Sequence, residues 1–196
     1  MLKPKHTLGF LGFGLGLLAP HLASAGLIID NHLFYLDSQS KTVSNESYSK
    51  YNLSISIGAS IPKRFFIGWK TTTHADSQTG SAGTAKITGL EMGPRFGIFL
   101  TKNRWTSFTT TYLPVHNATQ TTDAGTVTKL SGSGFEFELT FAPEVFKNLS
   151  PGISLLYHMG SYSSATDSTG ATSVVSYTRN MIIPSIYLHW VFGGLD

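Results

Sequence analysis

A base beside a nucleophile is the first chemistry this chain suggests. His158 is followed by Met159, Gly160 and Ser161, so an imidazole and a hydroxyl stand three residues apart. Side chains three apart on a strand leave opposite faces, whereas a general base must lie within hydrogen-bond reach of the group it activates. The parity therefore separates His158 from Ser161. His74 with Asp76, and His116 with Asp123, supply further fragments of an acid–base site, although such residues are common in turns. No two histidines stand at i, i+2 or i, i+4, and His74 and His116 read with opposite parity, so neither a metal site nor a cofactor is expected. The chain has no cysteine, which excludes disulfides and thiolate ligands. No glycine-rich loop opens a helix, so nothing suggests a phosphate cradle.

The residues that do share a parity are charged, and strands must position them. In 51–61, Tyr51, Leu53, Ile55, Ile57, Ala59 and Ile61 alternate with Asn52, Ser54, Ser56, Gly58 and Ser60. That is a strict period of two. Phe65, Ile67 and Trp69 continue the apolar face and put Lys70 on the other. Leu90, Met92, Pro94, Phe96 and Ile98 stand opposite Glu91 and Arg95. Phe135, Phe137, Leu139 and Phe141 stand opposite Glu136 and Glu138. Weaker alternation covers 106–115, 153–161 and 179–192, the last with Arg179 at its start. A first strand over 27–37 has no assignable faces. Pro94 and Pro184 each remove a ladder hydrogen bond, which predicts irregular pairing beside them.

Eight strands of about ten residues result, a length suited to a tilted bilayer crossing. Ser/Thr/Gly/Asp-rich links near 38–48, 74–84, 116–131 and 162–176 alternate with short ones at 62–63, 101–104 and 143–151. Long loops at one end and tight turns with both termini at the other describe an all-β, closed antiparallel eight-stranded transmembrane β-barrel. A soluble ligand-binding barrel has the same alternation. Charge decides between them: Asp, Glu, Lys and Arg make up 13% of the chain, against roughly a quarter in soluble domains. The apolar face is therefore assigned outward. Lys70, Glu91, Arg95, Glu136, Glu138 and Arg179 then fall in a narrow lumen, where they are expected to form an ionic network, with Lys70 beside Glu91 and the two later glutamates reaching across the bore.

Residues 1–25 carry Lys3, Lys5, an apolar run and Ala23-Ser24-Ala25, which reads as a cleaved secretory signal, with 26–196 as one barrel domain. Taking the two leader lysines from the 14 basic residues leaves 12 against 11 acidic, so no nucleic-acid partner is implied.

Ser185-Ile186-Tyr187-Leu188-His189-Trp190-Val191-Phe192 resembles the C-terminal assembly signal of bacterial outer-membrane proteins, with Trp190 and Phe192 at its alternating aromatic positions. It departs from that signal in having Tyr187 where glycine is frequent and in continuing through Gly193-Gly194-Leu195-Asp196. The mature chain resembles small eight-stranded outer-membrane barrels of the OmpA/OmpX kind. The resemblance implies a monomer in the Gram-negative outer membrane, in contact with lipid and lipopolysaccharide and inserted by the barrel assembly machinery. It also implies a structural or surface-interaction role with a plugged lumen, not a general porin. The rival readings are a lipid A-modifying enzyme, for which His158-x-x-Ser161 departs from the His-x-Ser dyad of the deacylases, and a soluble periplasmic ligand-binding barrel. N-terminal sequencing of the protein from cell envelopes is expected to begin at Gly26; a chain that still begins at Met1 would remove the signal assignment.

Overall fold

The computed structural model describes residues 26–39, 47–61, 64–80 and 83–193. The leader, the Pro62-Lys63 turn and the terminal 194–196 lie outside the described residues. Eight antiparallel strands follow one another as β1 (Leu27–Gln39), β2 (Ser47–Ile61), β3 (Phe65–Gly80), β4 (Gly83–Phe99), β5 (Thr106–Thr122), β6 (Val127–Phe141), β7 (Leu149–Thr166) and β8 (Thr172–Phe192). Each pairs with its neighbours in sequence and β1 pairs with β8, so the sheet closes in a ring.

Alternation sets the two faces. Ile55, Ile57, Trp69, Phe96, Leu139 and Ile186 point out and are exposed, while Ser54, Ser56, Thr72, Thr109 and Thr111 point in and are buried. The molecule is thus apolar outside and polar within. β1 has Ile28, Asp30 and His32 buried and Leu27, Leu33 and Tyr35 exposed. Its faces were illegible because Ile28 is an apolar residue pointing inward, which breaks the alternation.

The strands are longer than expected, from 13 residues in β1 to 21 in β8. Most of what reads as long links is ladder: β3 and β4 pair out to Gly80↔Gly83, β5 and β6 to Thr121↔Val127, β7 and β8 to Thr166↔Thr172. Thr favours the extended backbone, and each added pair satisfies peptide groups that a loop would leave to water. At the β7–β8 tip the Asp167 carboxylate accepts hydrogen bonds from the Thr169 hydroxyl and from the Thr169 and Ala171 amides. Those bonds, the Thr169 hydroxyl foremost, hold its carboxyl below the usual carboxylate range.

A bulge in β5 matters more for the interior. Pairing with β4 slips between Met92 and Arg95, beside Pro94 as expected, and pairing with β6 slips between Leu113 and His116. Pro114 and Val115 stand at the slip, and one extra residue exchanges the faces of everything after it. Buried positions accordingly change from Ser107, Thr109, Thr111 and Leu113 to His116 and Ala118. Pro184 pairs in regular register with Leu155, but the ladder between β1 and β8 stops just short of it, at Leu33↔Ile186.

Phe66 points inward over Gly97, where a Cβ would run into the Phe66 ring. Gly97→Ala is expected to destabilise the barrel by about 1–3 kcal/mol through overpacking, and Phe66→Leu to recover part of that loss in the double variant. Urea unfolding in detergent micelles measures both.

Candidate functional site

The interior is built in layers. Nearest the tight turns, Ile28, Phe66 and Phe99 form an apolar cluster with Val191 packed against it, and the Phe66 and Phe99 rings lie 5.4 Å apart. Toward the hairpin tips, Ala118, Leu130, Tyr162 and Ala165 form a second cluster flanked by Ile87 and Val175. Charged side chains fill the space between them. Below the lower cluster a polar vestibule of about 660 Å³ is lined by Arg64, Lys102, Arg104, Glu144 and His189. The Arg104 guanidinium there lies over the Phe99 ring, 5.6 Å from its centre.

Arg95 is the hub of the charged layer. Its guanidinium reaches Asp30 at 2.5 Å and Glu138 at 3.1 Å, and also donates to the Ser56 hydroxyl. Glu138 takes a second partner in His32 at 2.6 Å. Lys70 spans the bore to Glu136 at 2.8 Å and lies 3.8 Å from Glu138. Asp30 accepts from the Tyr187 hydroxyl at 2.7 Å and lies 2.6 Å from His189 Nδ1. Nearer the tips, Arg179 donates to Asp76 and faces His74 at 2.6 Å, while Lys50 stands 4.0 Å from Asp76.

Glu91 has different company. Its Oε1 lies 2.9 Å from His116 Nδ1, 3.4 Å from His74 Nδ1 and 3.6 Å from His158 Nε2. Among the described residues no lysine or arginine stands within ion-pair distance of it. His158 turns its other ring nitrogen to Glu136 Oε1 at 3.3 Å. The Tyr162 ring stacks on His116 with centres 4.4 Å apart.

All six charges read from the sequence as luminal, Lys70, Glu91, Arg95, Glu136, Glu138 and Arg179, are buried inside the ring. The expected pairing of Lys70 with Glu91 does not form: Lys70 crosses to β6 instead, where two carboxylates share it. His158 is buried and Ser161 points out, as parity required, so no base–nucleophile pair is assembled there. The opposite parity read for His74 and His116 is overturned. Both point inward, because the β5 bulge resets the faces before His116. Asp30, His32, Lys50 and His189 carry no sequence signal for the interior, and the sequence places His74 and Asp76 in a link and Tyr187 in the C-terminal segment, whereas all seven meet inside the ring. His74 has a usable signal, since it keeps the parity of Lys70 four residues earlier. Trp190 and Phe192 of the C-terminal segment point outward and pair with Ile29 and Leu27, closing the ring.

Glu138 is 2% exposed and serves three basic partners. Glu138→Ala is expected to cost about 3–5 kcal/mol by leaving Arg95 and Lys70 short of counter-charge, and Glu138→Gln distinctly less, because the amide still accepts a hydrogen bond. Equal unfolding midpoints for the two variants in detergent would mean that Glu138 carries no structural charge. The chain matches no family model, and no curated protein matches it significantly.

Proposed function

We propose that this chain is a bacterial outer-membrane barrel whose sealed interior serves stability and whose projecting rim meets partners at the cell surface. The observation that carries the reading is the inside-out distribution of side chains: charge buried within the ring and a band of Leu, Ile, Phe and Trp around it. In water such a band would be an apolar patch far beyond what soluble proteins tolerate. On β2 the band runs from Tyr51 to Ile61, ten steps of about 3.4 Å, which at a tilt of about 40° cover roughly 25 Å of hydrocarbon.

The start of β1, the end of β8 and the β4–β5 and β6–β7 connections lie at one end, the periplasmic end in this reading. The other ends of β3 to β8 rise beyond the band as paired strands whose outward residues are mostly polar, among them Thr73, Ser77, Lys86, Asn117, Thr119, Thr121 and Lys129, with Val174 on β8 an exposed exception. A ladder holds those side chains in fixed positions, which suits recognition better than a loose loop. Lipopolysaccharide and lipid are the surroundings of the band. An outer apolar groove of about 700 Å³, lined by Leu33, Tyr35, Leu139, Ile153, Leu155 and Pro184 where the β1–β8 ladder stops, faces acyl chains. The lipid A-modifying alternative has no assembled dyad in its favour, since His158 and Ser161 diverge.

Charge placed on the band is expected to cost roughly 2–4 kcal/mol near the midplane. Ile55→Arg and Leu139→Arg should therefore impair folding into liposomes, whereas Thr121→Arg on the rim should not. Equal insertion of all three, or recovery of the wild type in the soluble periplasmic fraction without detergent, would overturn the membrane reading. The layered interior further predicts negligible ion conductance in planar bilayers; a large, steady current from purified protein would mean an open bore.

A further inference from the structure

Within the ring, the carboxylates Asp30, Asp76, Glu91, Glu136 and Glu138 outnumber the permanent cations Lys50, Lys70, Arg95 and Arg179 by five to four. The unmatched one is Glu91, whose only close partners are histidines. A carboxylate 1% exposed and without a permanent cation is costly, and a bound cation would compensate it. By hydrogen-bond geometry five atoms here are left without a partner, Glu91 Oε1, His74 Nδ1, both ring nitrogens of His116 and His158 Nε2, although His116 Nδ1 stands only 2.9 Å from Glu91 Oε1. Buried polar atoms are normally paired, and here several orphans converge on one point.

We propose that Glu91, His116 and His158 bind one divalent metal ion of the zinc class inside the barrel. One donor atom from each of the three lies within 4.8 Å of the others. Tetrahedral bonds of about 2.0–2.2 Å space ligand atoms about 3.3–3.6 Å apart; His158 Nε2 already stands 3.6 Å from Glu91 Oε1, and His116 Nδ1, at 2.9 Å, has to move out by about half an ångström to admit the ion. Partners outside the cluster set the tautomers of His158 and His74. His158 turns Nδ1 to the Glu136 carboxylate, a geometry in which Nδ1 donates and Nε2 keeps its lone pair for a metal. His74 behaves oppositely. Its Nε2 faces the Arg179 guanidinium, which can only donate, so the ring hydrogen sits on Nδ1 and points at Glu91. His74 is thus a positioning residue for the Glu91 carboxylate and not a ligand.

Gly160 supplies an independent observation. A Cβ there would run into His116 Nε2 and stand 2.9 Å from His158 Nε2, so the absence of a side chain keeps the gap between the two imidazoles open. Two imidazoles and one carboxylate without sulfur select zinc-like ions over calcium or magnesium, and three protein ligands leave a fourth position for water. The site is a property of the interior alone and holds whether or not the barrel sits in a membrane.

The test refolds the processed chain, without a histidine tag, in detergent with zinc or with chelator, and then measures retained metal by atomic emission. One equivalent of zinc is expected, with a higher melting temperature than the chelator-refolded protein, and a cobalt-substituted sample is expected to absorb in the visible as a low-symmetry N,N,O site. Glu91→Gln, His116→Gln and His158→Gln should each weaken zinc more than about a hundredfold, since even loss of an outer hydrogen-bonding partner costs 10–100-fold. Gly160→Ala should do the same by filling the gap. Asp30→Asn, equally buried in the charged layer but remote from Glu91, should retain one equivalent. Wild-type protein that folds in zinc yet retains none overturns the proposal without recourse to any variant, and so does a full equivalent in a folded ligand variant.

Discussion

Arg95 ties Asp30 on β1 to Glu138 on β6 across the bore, and the remaining interior side chains are arranged around that bridge. A ring of eight strands is too narrow to keep water around an inward charge, so each one must find its partner on another strand. Glu138 therefore also receives His32 and Lys70, Lys70 extends to Glu136, and Glu136 turns to His158. The chain of contacts runs through β1, β3, β4, β6 and β7. Apolar clusters at both ends keep water out, which strengthens every pair and raises the cost of losing one member.

Histidine fills a particular need in this arrangement. All five histidines of the described residues lie in the interior: His32, His74, His116, His158 and His189. A neutral imidazole donates at one nitrogen and accepts at the other, so it can join a carboxylate and a guanidinium without the desolvation cost of a full charge. His74 between Arg179 and Glu91 does this. The interior is thus a graded set of donors in which permanent cations hold most of the acids and imidazoles surround the remaining one.

Much of this was legible in the sequence, for reasons that differ from strand to strand. On β2, β4 and β6 a strict period of two separated Ile55 from Ser54, Phe96 from Arg95 and Leu139 from Glu138, because each position had one environment and the residue type suited it. β1 was opaque because Ile28 serves an apolar layer inside the ring, where outward and inward residues look alike. The upper halves of β3, β5 and β7 read as links because their outward residues beyond the band are Thr, Ser and Asn while the inward ones are mixed, His74 and Asp76 on β3 but Ala118, Tyr162 and Ala165 on β5 and β7, so no single alternation persists. His116 was misplaced by a single extra residue at Pro114 and Val115, whose position depends on pairing with two neighbouring strands. Partners across the bore were beyond reach altogether. Which inward residues meet depends on stagger and tilt, and these leave no local pattern; hence the sequence points Lys70 to Glu91 on the adjacent strand, whereas its carboxylates lie opposite.

The closing seam shows why the network has the shape it has. β1 and β8 share only the stretch from Leu27↔Phe192 to Leu33↔Ile186, whereas β1 and β2 pair along the whole of β1 and β7 and β8 from Leu149↔Trp190 to Thr166↔Thr172. Backbone hydrogen bonds are therefore fewest where the ends of the sheet meet, and Pro184 could donate none to extend them. Side chains concentrate at that seam. Tyr187 and His189 of β8 both reach Asp30 of β1, and the His32 and Tyr187 rings lie 4.7 Å apart. Arg95 and Glu138 then anchor Asp30 and His32 to the opposite wall. A strand-register slip of one residue between β1 and β8 would carry Asp30 and His32 to the apolar outer face and break every one of these contacts together. The charges therefore do more than fill the bore: they select the one closure in which Asp30 and His32 meet their partners, at the seam where the backbone alone specifies it least.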